Sequence, residues 1–137
     1  MSVPVNKRAK GKFEVLVKAR ELAKYTIEIT KNTKVFKPEY QTALTDDIIQ
    51  TAKNVFIKCW TANNIRVNTK EQAEERNRLQ YEADQDCNNL LALIDLAKVI
   101  YHLKSKRIKF WAEKTIVART LIREWRNSDS KRYSAIL

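Results

Sequence analysis

Glycine occurs once in this chain of 137 residues, at Gly11, and proline twice, at Pro4 and Pro38. Tight turns between strands draw heavily on both residue types, so an all-β fold or a doubly wound sheet lacks its punctuation here. The chain is therefore predicted to be all-α. At this length a single domain buries roughly two-thirds of the surface that the unfolded chain exposes, enough for a core without metal or disulfide staples.

Periodicity places four helices. The first is expected from about Phe13 to Lys31, with Val15, Leu16, Ala19, Leu22, Ala23 and Ile29 on one face and Glu14, Glu21 and Glu28 on another. A competing reading takes Thr26-Ile27-Glu28-Ile29-Thr30 as an alternating, β-branched strand, although no partner strand is evident. Pro38 suits the first turn of a second helix running to about Asn63, with Leu44, Ile48, Ala52, Val55 and Cys59 as its stripe and Ile49, Phe56 and Trp60 widening it. The third begins near Asn68 or Thr69, where Glu71, Glu74 and Glu75 complement the positive helix end. It continues through Ala83, Cys87, Leu90, Ile94, Ala97 and Tyr101. Ser105 is the expected cap of a fourth helix carrying Ile108, Trp111, Thr115, Ala118, Ile122 and Trp125, which ends before the polar run Asn127-Ser128-Asp129-Ser130. Four amphipathic helices with short connections make an antiparallel up-down four-helix bundle over residues 13–127. Residues 1–12 read as a flexible basic arm and 128–137 as a polar tail.

Charge points to the partner. Lys+Arg number 27 against 16 Asp+Glu, a formal net charge of +11. Such a surplus favours polyanions, nucleic acid first and an anionic membrane surface second. The arm holds Lys7, Arg8, Lys10 and Lys12 with no acidic residue, and residues 105–127 hold seven cations against Glu113 and Glu124. On the fourth helix Lys109, Arg119, Arg123 and Arg126 fall within about a 100° arc, a ridge that can meet successive phosphates. An ordinary solvated helix edge explains the same pattern equally well. Beside the core stripe, Phe110, Val117 and Leu121 extend the apolar arc to about half the circumference, which suits either a deeply seated helix or packing against another subunit.

No catalytic chemistry is expected. The single histidine, His102, removes most base and metal combinations, and it sits near the end of the third helix, where a cation is favoured. Asp46-Asp47 read as a helix start, and Glu82, Asp84 and Asp86 as an exposed helix face. One glycine leaves no loop to cradle a phosphate, so no cofactor or metal is expected. Trp60, Trp111 and Trp125 all read as core residues. Cys59 and Cys87 are expected roughly 20 Å apart along antiparallel helices, as reduced core residues. The start Met-Ser-Val-Pro carries no apolar leader, and the longest apolar run, Leu90 to Ile94, stops at Asp95, so a cytoplasmic protein without a membrane span is expected.

The opening Ser2-Val3-Pro4 with Lys7-Arg8 and Phe13-Glu14, the four-helix layout, and the closing Leu121-Ile122-Arg123-Glu124-Trp125-Arg126-Asn127-Ser128-Asp129 together resemble the accessory variability determinant proteins of diversity-generating retroelements. These belong with the four-helix-bundle proteins that include those encoded by intervening sequences in bacterial 23S ribosomal RNA genes. The resemblance spans nearly the whole chain through short motifs. It implies a homopentameric barrel that binds the retroelement's reverse transcriptase and template RNA and enables error-prone cDNA synthesis, with the polymerase chemistry in the partner. Nucleic-acid contact would then fall on Lys7, Arg8, Lys10 and Lys12 and on Arg119, Arg123 and Arg126; DNA presents the same phosphate chemistry. The alternative is an oligomeric helical adaptor or scaffold that recognises another protein through Phe110, Val117 and Leu121. A membrane-surface role is the weakest reading, because the basic ridge borders a core stripe and leaves no apolar wedge for lipid.

Overall fold

The computed structural model describes the backbone of residues 5–137 and the side chains of residues 14–137. Four helices carry the fold, α1 (Val5–Thr30), α2 (Asp46–Asn64), α3 (Lys70–Tyr101) and α4 (Ser105–Arg132), and no strand occurs among the described residues. Each helix packs on the next and α4 returns to α1, an arrangement compatible with a four-helix bundle. The strand reading of Thr26 to Thr30 is overturned: Thr26 and Thr30 donate to the carbonyls of Leu22 and Thr26, each at 2.8 Å, so their hydroxyls are satisfied inside α1.

Helix α1 begins at Val5 rather than near Phe13, taking in most of the segment expected as an arm. The stretch Lys7 to Lys12 is lysine, arginine and alanine around one glycine, and good helix formers outweigh a single Gly that costs about 1 kcal/mol. Between α1 and α2 the expected helical start at Pro38 is irregular. Pro38–Tyr40 forms a 3-10 turn and Gln41–Thr45 a wider π-helical turn before α2 opens at Asp46. Just upstream, Phe36 turns into the core at 1% exposure, its ring 4.9 Å from Tyr101 and 6.2 Å from Trp111, closing that end of the bundle. Helical periodicity could not reveal it, because Phe36 lies on no helix.

Helix α3 opens with a reciprocal cap in which Gln72 N donates to the Thr69 hydroxyl and the Gln72 side chain accepts from Thr69 N. It stops at His102, which adopts the left-handed conformation at φ 54°. Ser105 does not cap α4. It is the first helical residue, and the preceding Lys104 makes no side-chain cap.

Helix α4 also runs past its expected end. Its buried residues Trp111, Thr115, Ala118, Ile122, Trp125 and Asp129 keep alternating steps of four and three, so Asp129 takes a core position. The carboxylate is neutralised by Arg76 of α3, whose Nε donates to Oδ2 at 2.6 Å and Nη2 to Oδ1 at 3.2 Å, and Gln80 Nε2 donates to Oδ2 at 2.7 Å. Arg76 and Gln80 are themselves buried and extend the α3 stripe toward its start. Arg76 is further covered by the rings of Trp125 and Tyr133, 5.2 and 5.9 Å from its guanidinium carbon.

The register between α2 and α3 corrects the cysteine spacing. Thr45 and Tyr101 share a hydrogen bond at 2.6 Å and Lys58 donates to Asp86 at 2.7 Å, which brings Cys59 level with Cys87. The connection 65–69 is extended at both ends, so α3 starts well beyond the end of α2 and the pairing slides by about three turns. Both cysteines are buried free thiols. Burial pushes Cys59 up to about 12 and raises Cys87 as well, with each other's proximity and nearby carboxylates adding to the effect on Cys87.

Candidate nucleic-acid interface

Three of the four ridge cations expected on α4 meet a complementary row on α3. Arg119 Nη1 donates to Asn88 Oδ1 at 2.7 Å, Arg123 Nε to both oxygens of Asp84 at 3.0 and 3.1 Å, and Arg126 Nε to Asn77 Oδ1 at 2.9 Å. Arg126 also lies 5.0 Å from the ring centre of Tyr81. Two of these partners are neutral amides. They orient Arg119 and Arg126 without cancelling their charge, and the Arg126 terminal nitrogens stay available for a forked contact. Arg123 alone is paired, and its hydrogen bond to Asp84 raises its already high pKa.

Asp84, expected on an exposed face, is buried, and Asp86 is held by Lys58. These carboxylates clamp α3 to α4 and α2 respectively. No signal along α3 alone could show it, because the partner charges lie 28 and 39 residues away.

Lys109, the fourth ridge residue, sits apart, ten residues and about 15 Å before Arg119 along the axis. It borders a groove between α1 and the start of α4, together with Lys104, Lys106 and Arg107. Tyr25 and Phe110 form the aromatic wall, their centroids 5.2 Å apart at 66°, and Glu113 is the one carboxylate on the lining. None of the four cations forms an ion pair among the described residues. The Tyr25 hydroxyl is pushed up by burial and drawn partly back by Arg107. The sequence reading passed over Lys104, Lys106 and Arg107 because they lie off the ridge arc. Lys7, Arg8, Lys10 and Lys12 lie outside the described side chains.

A second groove between α1 and α2 is lined by Arg20, Lys24, Lys31 and Lys53, by Glu28, which pairs with Lys24 at 3.8 Å, and by the apolar Phe56 and Ile57. Trp60 stands beside it, its ring 6.0 Å from Phe56. Trp111 and Trp125 are buried as expected, but Trp60 is 54% exposed. It follows Cys59 by 100° and so faces away from the stripe that Cys59 shares with Val55 and Ala62.

The apolar side stripe of α4 is divided. Phe110 and Val117 are exposed, whereas Leu121 packs against the core. Leu96, Val99 and Ile100 on α3 are exposed as well, a patch the sequence reading did not separate from the core stripe of Ile94 and Ala97. Among the described residues no group of three or more His, Cys, Asp or Glu could hold a metal ion, and no helix is long and apolar enough to cross a membrane.

Fold and surface define a basic four-helix protein with two cation-lined grooves. Comparison with protein-family models, with curated proteins and with solved structures finds no match for this chain.

Proposed function

We propose that this chain is a cytoplasmic, non-enzymatic nucleic-acid-binding accessory protein that works with a reverse transcriptase and its template RNA. In this reading it supports mutagenic cDNA synthesis in a diversity-generating retroelement and assembles as a homopentameric barrel. The observation that carries the nucleic-acid part is the unneutralised charge along α4 and just before it: Arg119 and Arg126 rest on the amides of Asn88 and Asn77, and Lys104, Lys106, Arg107 and Lys109 form no ion pair among the described residues. Polyanions are the ligands that gain most from several fixed cations together, since each neutralised phosphate releases condensed counterions. The exposed side chains of Leu96, Val99, Phe110 and Val117 support assembly, because burying them between copies removes apolar surface from water. The retroelement and reverse-transcriptase parts rest on the resemblance of the opening and closing motifs.

RNA affinity measured from 50 to 200 mM salt tests the first part. With six or more phosphates engaged, affinity falls about a thousandfold or further over that range. A flat response refutes nucleic-acid binding. Co-purification of a reverse transcriptase encoded beside this gene tests the second part, and light scattering tests the pentamer.

The same apolar patch favours a second reading, a helical adaptor that binds another protein and uses its charge for solubility. In that case structured RNA shows no retention on filters at any salt, while a protein partner is held by Phe110 and Val117.

A further inference from the structure

The starts of α2 and α3 carry carboxylates, whereas those of α1 and α4 do not. Helix α2 opens on Asp46 and Asp47 and α3 has Glu71 in its first turn, carboxylates that suit the positive end of the helix dipole. Helix α4 has no acidic residue there and no side-chain cap, its Arg107 and Ile108 N–H groups donate to the Lys104 carbonyl at 3.1 and 3.2 Å, and Lys104, Lys106, Arg107 and Lys109 line the groove at this end. Like charges at the positive end raise the energy of the folded chain, and no ion pair among the described residues offsets them. Local conflicts of this kind are found at functional sites.

The surroundings narrow the ligand. The groove beside these cations measures about 570 Å³, within the size range of small-molecule sites. A bare anion or an acidic peptide would use the cations and make no use of Tyr25 and Phe110, over whose rings the Lys114 ammonium lies at 5.6 and 5.0 Å while Phe110 stays exposed. A planar heteroaromatic ring carrying phosphates uses both.

We propose that this groove is a discrete site for a nucleotide bearing terminal phosphates. The phosphates lie on Lys104, Lys106 and Arg107 and on the N–H groups of Ser105 and Lys106, and the base lies against Tyr25 and Phe110. Two sources carry this chemistry, a free nucleoside triphosphate and the 5′-phosphorylated end of a strand. The second rests on the nucleic-acid reading above, and the first does not.

The test uses the full chain at fixed physiological salt. Binding of ATP is followed by calorimetry, and binding of two oligoribonucleotides of the same sequence, 5′-phosphorylated and 5′-hydroxyl, by fluorescence anisotropy. The variants are the pair Lys106→Gln with Arg107→Gln, and separately Tyr25→Leu. ATP is expected to saturate one site and to lose at least tenfold in affinity in the pair variant, since each charge-assisted contact to phosphate is worth roughly tenfold. Removing two cations from a positive helix end should leave thermal stability equal or higher, which separates lost binding from lost folding. Tyr25→Leu should weaken ATP but leave inorganic triphosphate unchanged.

A tenfold preference for the phosphorylated oligonucleotide, abolished by ATP and by the pair variant, supports the strand end as the source. ATP binding without binding of either oligonucleotide supports the free nucleotide and sinks the nucleic-acid reading alone. Equal binding of the two oligonucleotides with no ATP binding overturns the site and leaves that reading standing. ATP affinity unchanged in the pair variant also overturns it.

Discussion

His102 holds the left-handed conformation at φ 54°, where a side chain crowds the backbone and glycine does not. His102→Gly is expected to stabilise the fold by up to about 1 kcal/mol, a rise of a few degrees in the thermal midpoint. An unchanged or lower midpoint would show that the imidazole makes up for its backbone. The thiols give a residue-scale prediction in pH. Cys59 ionises near 9 when unfolded but is held near 12 by burial, and Cys87 is raised in the same direction. Because the unfolded chain loses these protons first, their contribution to stability is intact below about pH 9 and declines as pH climbs from there toward 12. Urea midpoints at pH 8 and pH 10.5, compared with those of Cys59→Ala, should show the smaller alkaline loss in the variant. At pH 8 a thiol reagent should label neither cysteine until the protein is unfolded.

At the scale of elements, the pairing of α3 with α4 rests on polar groups in apolar positions. The row Ala73, Arg76, Gln80, Ala83, Cys87, Leu90, Ile94, Ala97, Tyr101 is one unbroken stripe on α3, and its two polar members face Asp129 of α4. Asp129→Ala would strand the Arg76 charge in the interior and is expected to cost about 3–5 kcal/mol in denaturant unfolding. Replacing both partners, Arg76→Met with Asp129→Leu, should recover most of that loss. Failure of the double variant to recover would mean that the ion pair does more than balance charge. The sequence showed this stripe only from Ala83 onward, because Arg76, Gln80 and Asp129 look like surface residues until they are set opposite one another.

For the whole molecule, the exposed patches on α3 and α4 make a statement about assembly. Val99, 66% exposed, and Val117, 45% exposed, each leave a β-branched side chain largely open to water. If the chain assembles through them, Val99→Lys with Val117→Lys lowers the light-scattering mass to that of one chain while the helical circular dichroism is kept. If the wild-type mass already equals one chain, the pentamer reading falls. The basic surface is likewise a property of the assembled fold. Arg119, Arg123 and Arg126 were legible as a ridge because they share one helix face, whereas the groove at Lys104 to Lys109 needs Tyr25 from a distant part of the chain.

The sequence by itself determined the helical class and most of the core. A chain with so little glycine and proline has few turn sites, and steps of three and four repeat over α2, α3 and α4. It also determined the excess of positive charge, which is additive and independent of fold. Only the tertiary structure decided that Trp60 faces water, that Asp84 and Asp129 are buried, that Phe36 closes the core from a loop, and that Cys59 stands level with Cys87. Each of these depends on how far one helix slides along another. That register is set by loop geometry and by contacts between residues far apart in the chain, neither of which leaves a periodic trace along a single segment.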